Sequence, residues 1–92
     1  MKFDLGQTIM TRGIALAMNA NINFGKEVRT AFDRYVSGDW GELCQEDREM
    51  NDIAVEKNDN RIFAKYETSV DPIYIITEHD RSYTTVLFCN EY

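Results

Sequence analysis

The chain has 92 residues, of which 43% are hydrophobic and 12% aromatic, and its net charge is −6. This length fits one domain with a single core, and the apolar content argues against intrinsic disorder. An acidic chain repels phosphate backbones, so direct binding to DNA or RNA is disfavoured.

Membrane insertion and secretion are also disfavoured. No apolar run approaches the ~20 residues of a membrane span, and the N-terminus is too short and polar for a secretory signal. Cys44 and Cys89 lie far apart without a CxxC spacing, which favours buried, reduced thiols over a disulfide or zinc site. A cytoplasmic location is therefore expected.

The N-terminal segment predicts a strand followed by a short helix. Residues 2–9 alternate weakly between apolar and polar side chains, with an interruption at Gly6. Residues 12–20 have helical spacing of apolar side chains, and Thr11 is the expected N-cap.

A clearer amphipathic pattern follows over residues 23–36. Asn23 is the expected N-cap, and Ser37-Gly38 ends the helix with a residue that tolerates a left-handed conformation. The apolar stripe consists of Phe24, Val28, Ala31, Phe32, Tyr35 and Val36.

Negative charge is concentrated in residues 39–59. Eight acidic residues there oppose two basic ones, so this window carries the whole net charge. Asp39 followed three residues later by Glu42 resembles a capping box and predicts a helix over about 40–57. One helix face then carries a row of carboxylates, namely Glu42, Glu46, Glu49, Asp52 and Glu56. The packed side is predicted to include Leu43, Met50 and Ala54.

This row has two interpretations. Like charges four residues apart destabilise an isolated helix by about 0.2–0.5 kcal/mol each, which favours a use for the row as a binding surface. A charged helix face can also serve solubility alone. Both interpretations stay open at the level of sequence.

Beyond a break at 58–60 the spacing of apolar residues changes from the 3.6-residue period of a helix to the two-residue period of a strand. Residues 61–67, 73–77 and 83–89 are rich in aromatic and β-branched side chains, and their connections are short. They predict a three-stranded antiparallel meander with 73–77 at its centre. The predicted class is α+β, with N-terminal helices at about 12–20, 23–36 and 40–57 packed on one face of this sheet.

Sequence motifs for catalysis are weak. Glu78-His79-Asp80 is the tightest polar cluster, but neighbouring residues in a turn point in different directions, so a hairpin turn is favoured over a metal or acid–base site. We therefore predict no catalytic residue, no metal site and no cofactor. An enzyme that uses His79 is the less favoured alternative.

Three segments carry a family resemblance: MKFDLGQTIMTRGI, GDWGELCQEDREMND and IYIITEHDRSYTTVLFCNEY. Together they resemble a family of small "plasmid-related" proteins of plasmids, conjugative elements and phages. The resemblance implies a mobile-element context, in which small acidic proteins include anti-CRISPR and anti-restriction inhibitors. The resemblance identifies no catalytic residues in this chain.

The functional expectation is a non-enzymatic inhibitor that binds a protein with a basic surface, such as a CRISPR-Cas or restriction complex. The expected partner-binding residues are Asp39, Trp40, Glu42, Glu46, Glu49, Asp52 and Glu56. The alternative is a structural or regulatory module that pairs through a sheet edge at 61–67 or 83–89, as in a homodimer.

Overall fold

The computed structural model describes residues 2–92 and contains three α-helices and four strands. In chain order these are strand β1 (Gln7–Met10), helices α1 (Arg12–Ala20), α2 (Ile22–Val36) and α3 (Gln45–Lys57), strands β2 (Ile62–Tyr66), β3 (Ile73–Thr77) and β4 (Tyr83–Phe88), and a 3-10 turn at Cys89–Glu91. The predicted α+β class is confirmed. No helix within residues 2–92 has the length and apolar composition that crossing a membrane requires.

The sheet is mixed and has the strand order β1-β4-β3-β2. Its β2-β3-β4 part is the antiparallel meander that the sequence predicts. The three-stranded description is nevertheless wrong, because β1 adds a fourth strand parallel to β4. Gly6, at φ +63°, turns the chain beside the β3–β4 connection, and the Gln7 N–H then donates to the Ser82 carbonyl at 3.1 Å.

The two N-terminal helices begin at side-chain caps. Thr11 Oγ1 accepts from the Ile14 N–H at 3.3 Å, which confirms the predicted cap of α1. The cap of α2 is Asn21, whose Oδ1 accepts from the Phe24 N–H at 3.1 Å, and the predicted cap at Asn23 is wrong. Asn21 therefore lies between two helices that are only one residue apart.

The third helix begins five residues later than its predicted start at 40, and the predicted capping box is wrong. Asp39 instead forms an ion pair with Arg34. Gly41 has φ +72°, a conformation incompatible with a helix, and its neighbour Glu42 donates its N–H to the Lys65 carbonyl at 2.7 Å. These contacts hold residues 39–44 as a loop against β2.

The core lies between one sheet face and the helices. Tyr35 and Tyr66 are its largest fully buried side chains. The Tyr35 hydroxyl donates to the Ile62 carbonyl (3.1 Å) and belongs to a buried hydrogen-bond chain that continues through the hydroxyls of Thr77 (2.7 Å) and Thr84 (2.8 Å) to the Leu5 carbonyl (2.7 Å). Each hydroxyl of this chain has at least one hydrogen-bond partner, so polar groups from α2, β3 and β4 are buried without an orphaned oxygen. The other members of the core are Phe3, Ile14, Phe24, Val28, Ala31, Trp40, Leu43, Ala54, Ile62, Ala64, Ile73, Ile75 and Val86.

One sheet edge is closed by the side chain of Asn51. This residue of α3 is 2% exposed, and its amide donates to the Phe63 carbonyl at 2.6 Å and accepts from the Phe63 N–H at 3.3 Å. The amide thus replaces a neighbouring strand along β2. Residues 83–89, which the sequence predicts as the other edge, contain β4, which lies inside the sheet between β1 and β3. Neither predicted edge is therefore free to pair with a partner.

Candidate interaction surface

The outward side of α3 carries the acidic row. Glu46, Glu49, Asp52 and Glu56 are all exposed, whereas the buried residues of this helix are Asn51 and Ala54. A rise of about 1.5 Å per residue spreads these four carboxylates over about 15 Å of helix axis. The helical part of the predicted row is therefore present and faces the solvent.

Two apolar side chains adjoin these carboxylates, with Ile53 between Glu46 and Glu49 around the helix and Met50 at the flank of Glu46. Met50 is 53% exposed and Ile53 is 45% exposed. The prediction that Met50 lies on the packed side is wrong, because its side chain is more than half exposed. At about 100° per residue Met50 lies at the border of the packed side, about 40° from Ala54 on one flank and about 40° from Glu46 on the other. Exposed apolar area next to charged residues has the composition of a protein-binding surface.

The basic residues near the row do not neutralise it. Arg48 turns to the loop, where its Nε donates to the Leu43 carbonyl at 2.9 Å and its Nη2 to the Gly41 carbonyl at 3.2 Å. Over residues 2–92 the one ion pair joins Arg34 and Asp39, both outside α3. Exposed Lys57, which ends α3 beside Glu56, also forms no ion pair within this range, so the four carboxylates of the helix keep their charge available to a partner.

Trp40 is part of the core and not of the surface. It is 4% exposed, and its ring packs against Phe3 and Tyr35 at centroid distances of 6.0 and 5.6 Å. Its indole Nε1 donates to Oδ1 of Asp52 at 2.9 Å. The expectation of an exposed Trp40 anchor is therefore corrected. Its contribution to the surface is to hold one carboxylate of the row in place.

Asp39 and Glu42 lie apart from the helical row. The Arg34 guanidinium, which donates from Nε at 2.7 Å, holds the pKa of the Asp39 carboxyl below its usual range. Asp39 Oδ1 also accepts from the Gly41 N–H at 3.1 Å. Glu42 is exposed in the loop beside β2. Of the seven predicted contact residues, α3 therefore brings four together.

The connection between β3 and β4 is a hairpin, as the sequence predicts for Glu78-His79-Asp80. His79 is exposed in this turn, and within residues 2–92 no group of three or more His, Cys, Asp or Glu side chains is placed to hold a metal ion. Arg81 is 8% exposed, and its guanidinium donates to the carbonyls of Glu78 and His79 in the turn. It also donates to the carbonyl of Ala54 in α3 at 3.0 Å and to two carbonyls of the segment between α3 and β2. This arginine stabilises the junction between helix and hairpin.

The cysteines differ in environment. Cys44 is exposed at the start of α3, so the prediction that it is buried is wrong, and Cys89 is half-buried. Burial raises the pKa of the Cys89 thiol, which disfavours its thiolate form. Cys44 and the one histidine lie on different elements: Cys44 at the start of α3 and His79 in the hairpin turn between β3 and β4.

Comparison of the chain with protein-family models, with curated proteins and with solved structures found no match. One feature of the surface was accessible to sequence reasoning and two were missed. The helical periodicity identified the acidic row. The exposure of Ile53 and the burial of Asn51 were missed, because a polar residue at the centre of the packed side shifts the apparent orientation of the helix.

Proposed function

We propose that this protein is a non-enzymatic inhibitor encoded by a mobile element. Its acidic surface, defined as Glu46, Glu49, Met50, Asp52, Ile53 and Glu56, would occupy a basic, nucleic-acid-binding surface of a host defence complex such as CRISPR-Cas, in the cytoplasm. The observation that supports this most is the exposure of two apolar side chains beside a row of carboxylates that form no ion pair within residues 2–92.

Charge density indicates how such a surface would bind. Double-stranded DNA carries one negative charge per about 1.7 Å of its axis, whereas the row carries one per about 4 to 5 Å. Electrostatic attraction alone would therefore compete weakly with DNA. Met50 and Ile53 supply apolar area that DNA lacks, at about 25 cal/mol for each Å² removed from water. The surface fits a partner whose basic residues surround an apolar patch.

The mobile-element context rests on the resemblance of three sequence segments, including GDWGELCQEDREMND, which contains the start of α3. Small acidic inhibitors of this context block nucleic-acid-binding sites of defence proteins. The absence of direct nucleic-acid binding is part of the same proposal, because the acidic surface repels phosphates.

The test is competition with DNA. Reconstituted CRISPR-Cas and restriction complexes would be titrated with the protein at several salt concentrations, and displacement of labelled target DNA measured. The double variant Glu46→Lys/Glu49→Lys is expected to need a concentration at least roughly tenfold higher and to show a weaker salt dependence. The matched control is Glu67→Lys/Asp71→Lys, which makes the same charge change in the exposed connection between β2 and β3.

A second variant separates the two parts of the surface. Met50→Ala/Ile53→Ala is expected to weaken inhibition while leaving its salt dependence unchanged, because no charge is altered. Failure of the wild-type protein to displace DNA from every complex would contradict the proposal. Equal weakening by the control reversal would contradict the assignment of the surface to α3.

A further inference from the structure

The two edges of the sheet differ in how their backbone groups are paired. Along β2, Asn51 bonds both backbone groups of Phe63, and the Lys65 carbonyl accepts from the Glu42 N–H. Strand β1, at the opposite edge, has four exposed residues. One edge is therefore closed by the chain itself and the other is open.

The backbone groups of β1 alternate between β4 and the solvent. The Gln7 N–H donates to the Ser82 carbonyl at 3.1 Å, and the Thr11 N–H donates to the Val86 carbonyl at 3.0 Å. Because backbone groups alternate in direction along a strand, those of Thr8 point away from the sheet. The same alternation turns the backbone groups of Met10 outward. Within residues 2–92 these outward groups have no backbone partner beyond the sheet.

The side chains of β1 do not protect this edge. Exposed edge strands are normally guarded by charged residues or proline, whereas β1 has the sequence QTIM. Ile9 is 40% exposed and Met10 is 45% exposed. Beside them, Met10 contributes to an open groove of about 450 Å³ that is also lined by Met18 and Phe32. The open edge is thus both unpaired and apolar.

We propose that two copies of this chain pair through β1 as antiparallel neighbours, giving one continuous eight-stranded sheet. The charges that flank the strand favour a second copy of the chain as the partner and an antiparallel direction of pairing. Exposed Asp4 precedes β1 and exposed Arg12 follows it. An antiparallel two-fold arrangement brings Asp4 of each copy toward Arg12 of the other, whereas a parallel arrangement would bring like charges together.

The acidic surface does not oppose this pairing. Helix α3 packs at β2, so it lies three strand spacings of about 4.8 Å each from the open edge. That separation exceeds the screening length of about 8 Å at physiological ionic strength. Self-association through β1 therefore leaves both copies of α3 at the outer ends of the dimer.

Among the two-fold registers, the one centred on Ile9 engages the outward backbone groups of both Thr8 and Met10 in each copy. Since Thr8 and Met10 hold the outward backbone groups, Thr8 of one copy pairs with Met10 of the other and exchanges hydrogen bonds with it. Ile9 then faces Ile9 of the second copy, with their Cβ atoms about 4.5–5.5 Å apart. A charge at position 9 would thus be placed directly opposite an identical charge.

Sedimentation velocity at several concentrations tests the proposal with the full chain. The wild-type protein is expected to dimerise reversibly, and Ile9→Lys is expected to raise the dissociation constant by roughly tenfold or more. The matched control is Val70→Lys, a similar change at a side chain that is 42% exposed in the connection between β2 and β3. It is expected to dimerise like the wild type, and circular dichroism confirms that each variant is folded.

A wild-type protein that stays monomeric, including one that binds an added extended peptide instead, would overturn the proposal. So would equal effects of the two lysine variants. Amide exchange by NMR adds a second readout, in which the amides of Thr8 and Met10 become protected as concentration rises. A dimer that leaves both amides unprotected would also overturn it. Ile9→Lys leaves α3 intact, so this outcome is independent of the DNA-competition assay.

Discussion

The indole Nε1 of Trp40 donates a 2.9 Å hydrogen bond to Oδ1 of Asp52, and this bond joins a core side chain to the acidic surface. It also fastens the loop 39–44 to α3. Asp52→Ala is expected to destabilise the protein by about 1 kcal/mol and to shift the fluorescence of the single tryptophan to longer wavelength. Urea unfolding monitored by fluorescence measures both effects.

The control for Asp52→Ala is Glu56→Ala, which removes an exposed carboxylate of the same helix. Its expected effect on the free energy of unfolding is within about 0.5 kcal/mol, and its emission maximum should match that of the wild type. Equal effects of the two variants would show that the indole bond does not contribute to stability.

Closure of the β2 edge depends on Asn51. Asn51→Ala leaves the N–H and C=O of Phe63 without their partner, so we expect a loss of about 2–4 kcal/mol in the free energy of unfolding. Exposed Asn19 of α1 offers the comparison, since Asn19→Ala removes the same side chain from a helix surface and should change stability little. Chemical denaturation of both variants decides the point.

The loop 39–44 also requires the left-handed conformation of Gly41. At φ +72°, an added methyl group would meet the Lys65 carbonyl, so Gly41→Ala is expected to destabilise the protein by about 1–3 kcal/mol. Gly25 lies within α2 and has room for a methyl group. Gly25→Ala should therefore stabilise the protein by about 0.5–1 kcal/mol. Thermal denaturation that moves both variants in the same direction would contradict this account.

Alkaline pH is expected to destabilise the fold. Burial raises the pKa of Tyr35 and of Tyr66 above the ordinary value of 10.0. Because the folded state holds both phenols neutral, their stabilising contribution is complete below pH 10 and is lost as the pH rises through the folded-state pKa values. The urea midpoint should accordingly fall above about pH 10.

Tyr35→Phe removes one of these groups and should make that alkaline decline less steep, although it also removes a buried hydrogen bond to Thr77. Tyr83→Phe, a change at a side chain that is 41% exposed, should leave the decline unchanged. Identical pH profiles for the wild type and Tyr35→Phe would refute the claim that burial of the Tyr35 phenol causes the alkaline loss of stability.

Local sequence signals determined much of this fold. The apolar period identified α1, α2 and the strands β2, β3 and β4, and Thr11 was found as a cap because its hydroxyl acts within one helical turn. The acidic row on α3 followed from the spacing of its carboxylates along one helix. These features depend on residues a few positions apart, whose geometry is fixed by the backbone periodicity.

Only the tertiary structure decided the rest. Asp39 pairs with Arg34 instead of capping a helix, Trp40 turns into the core, and Asn51 replaces a strand at the edge of β2. Strand β1 pairs with β4, more than 70 residues away in sequence. Trp40 and Asn51 bond partners 12 residues away, at Asp52 and Phe63, and the burial of these polar groups with their partners favours contacts that local propensity does not encode. The exposed pair of Asp39 and Arg34 spans only five residues, but it depends on how the chain turns after α2. The sequence thus determined where the charge lies along the chain, while packing decided which carboxylates share a surface and which edge of the sheet stays open.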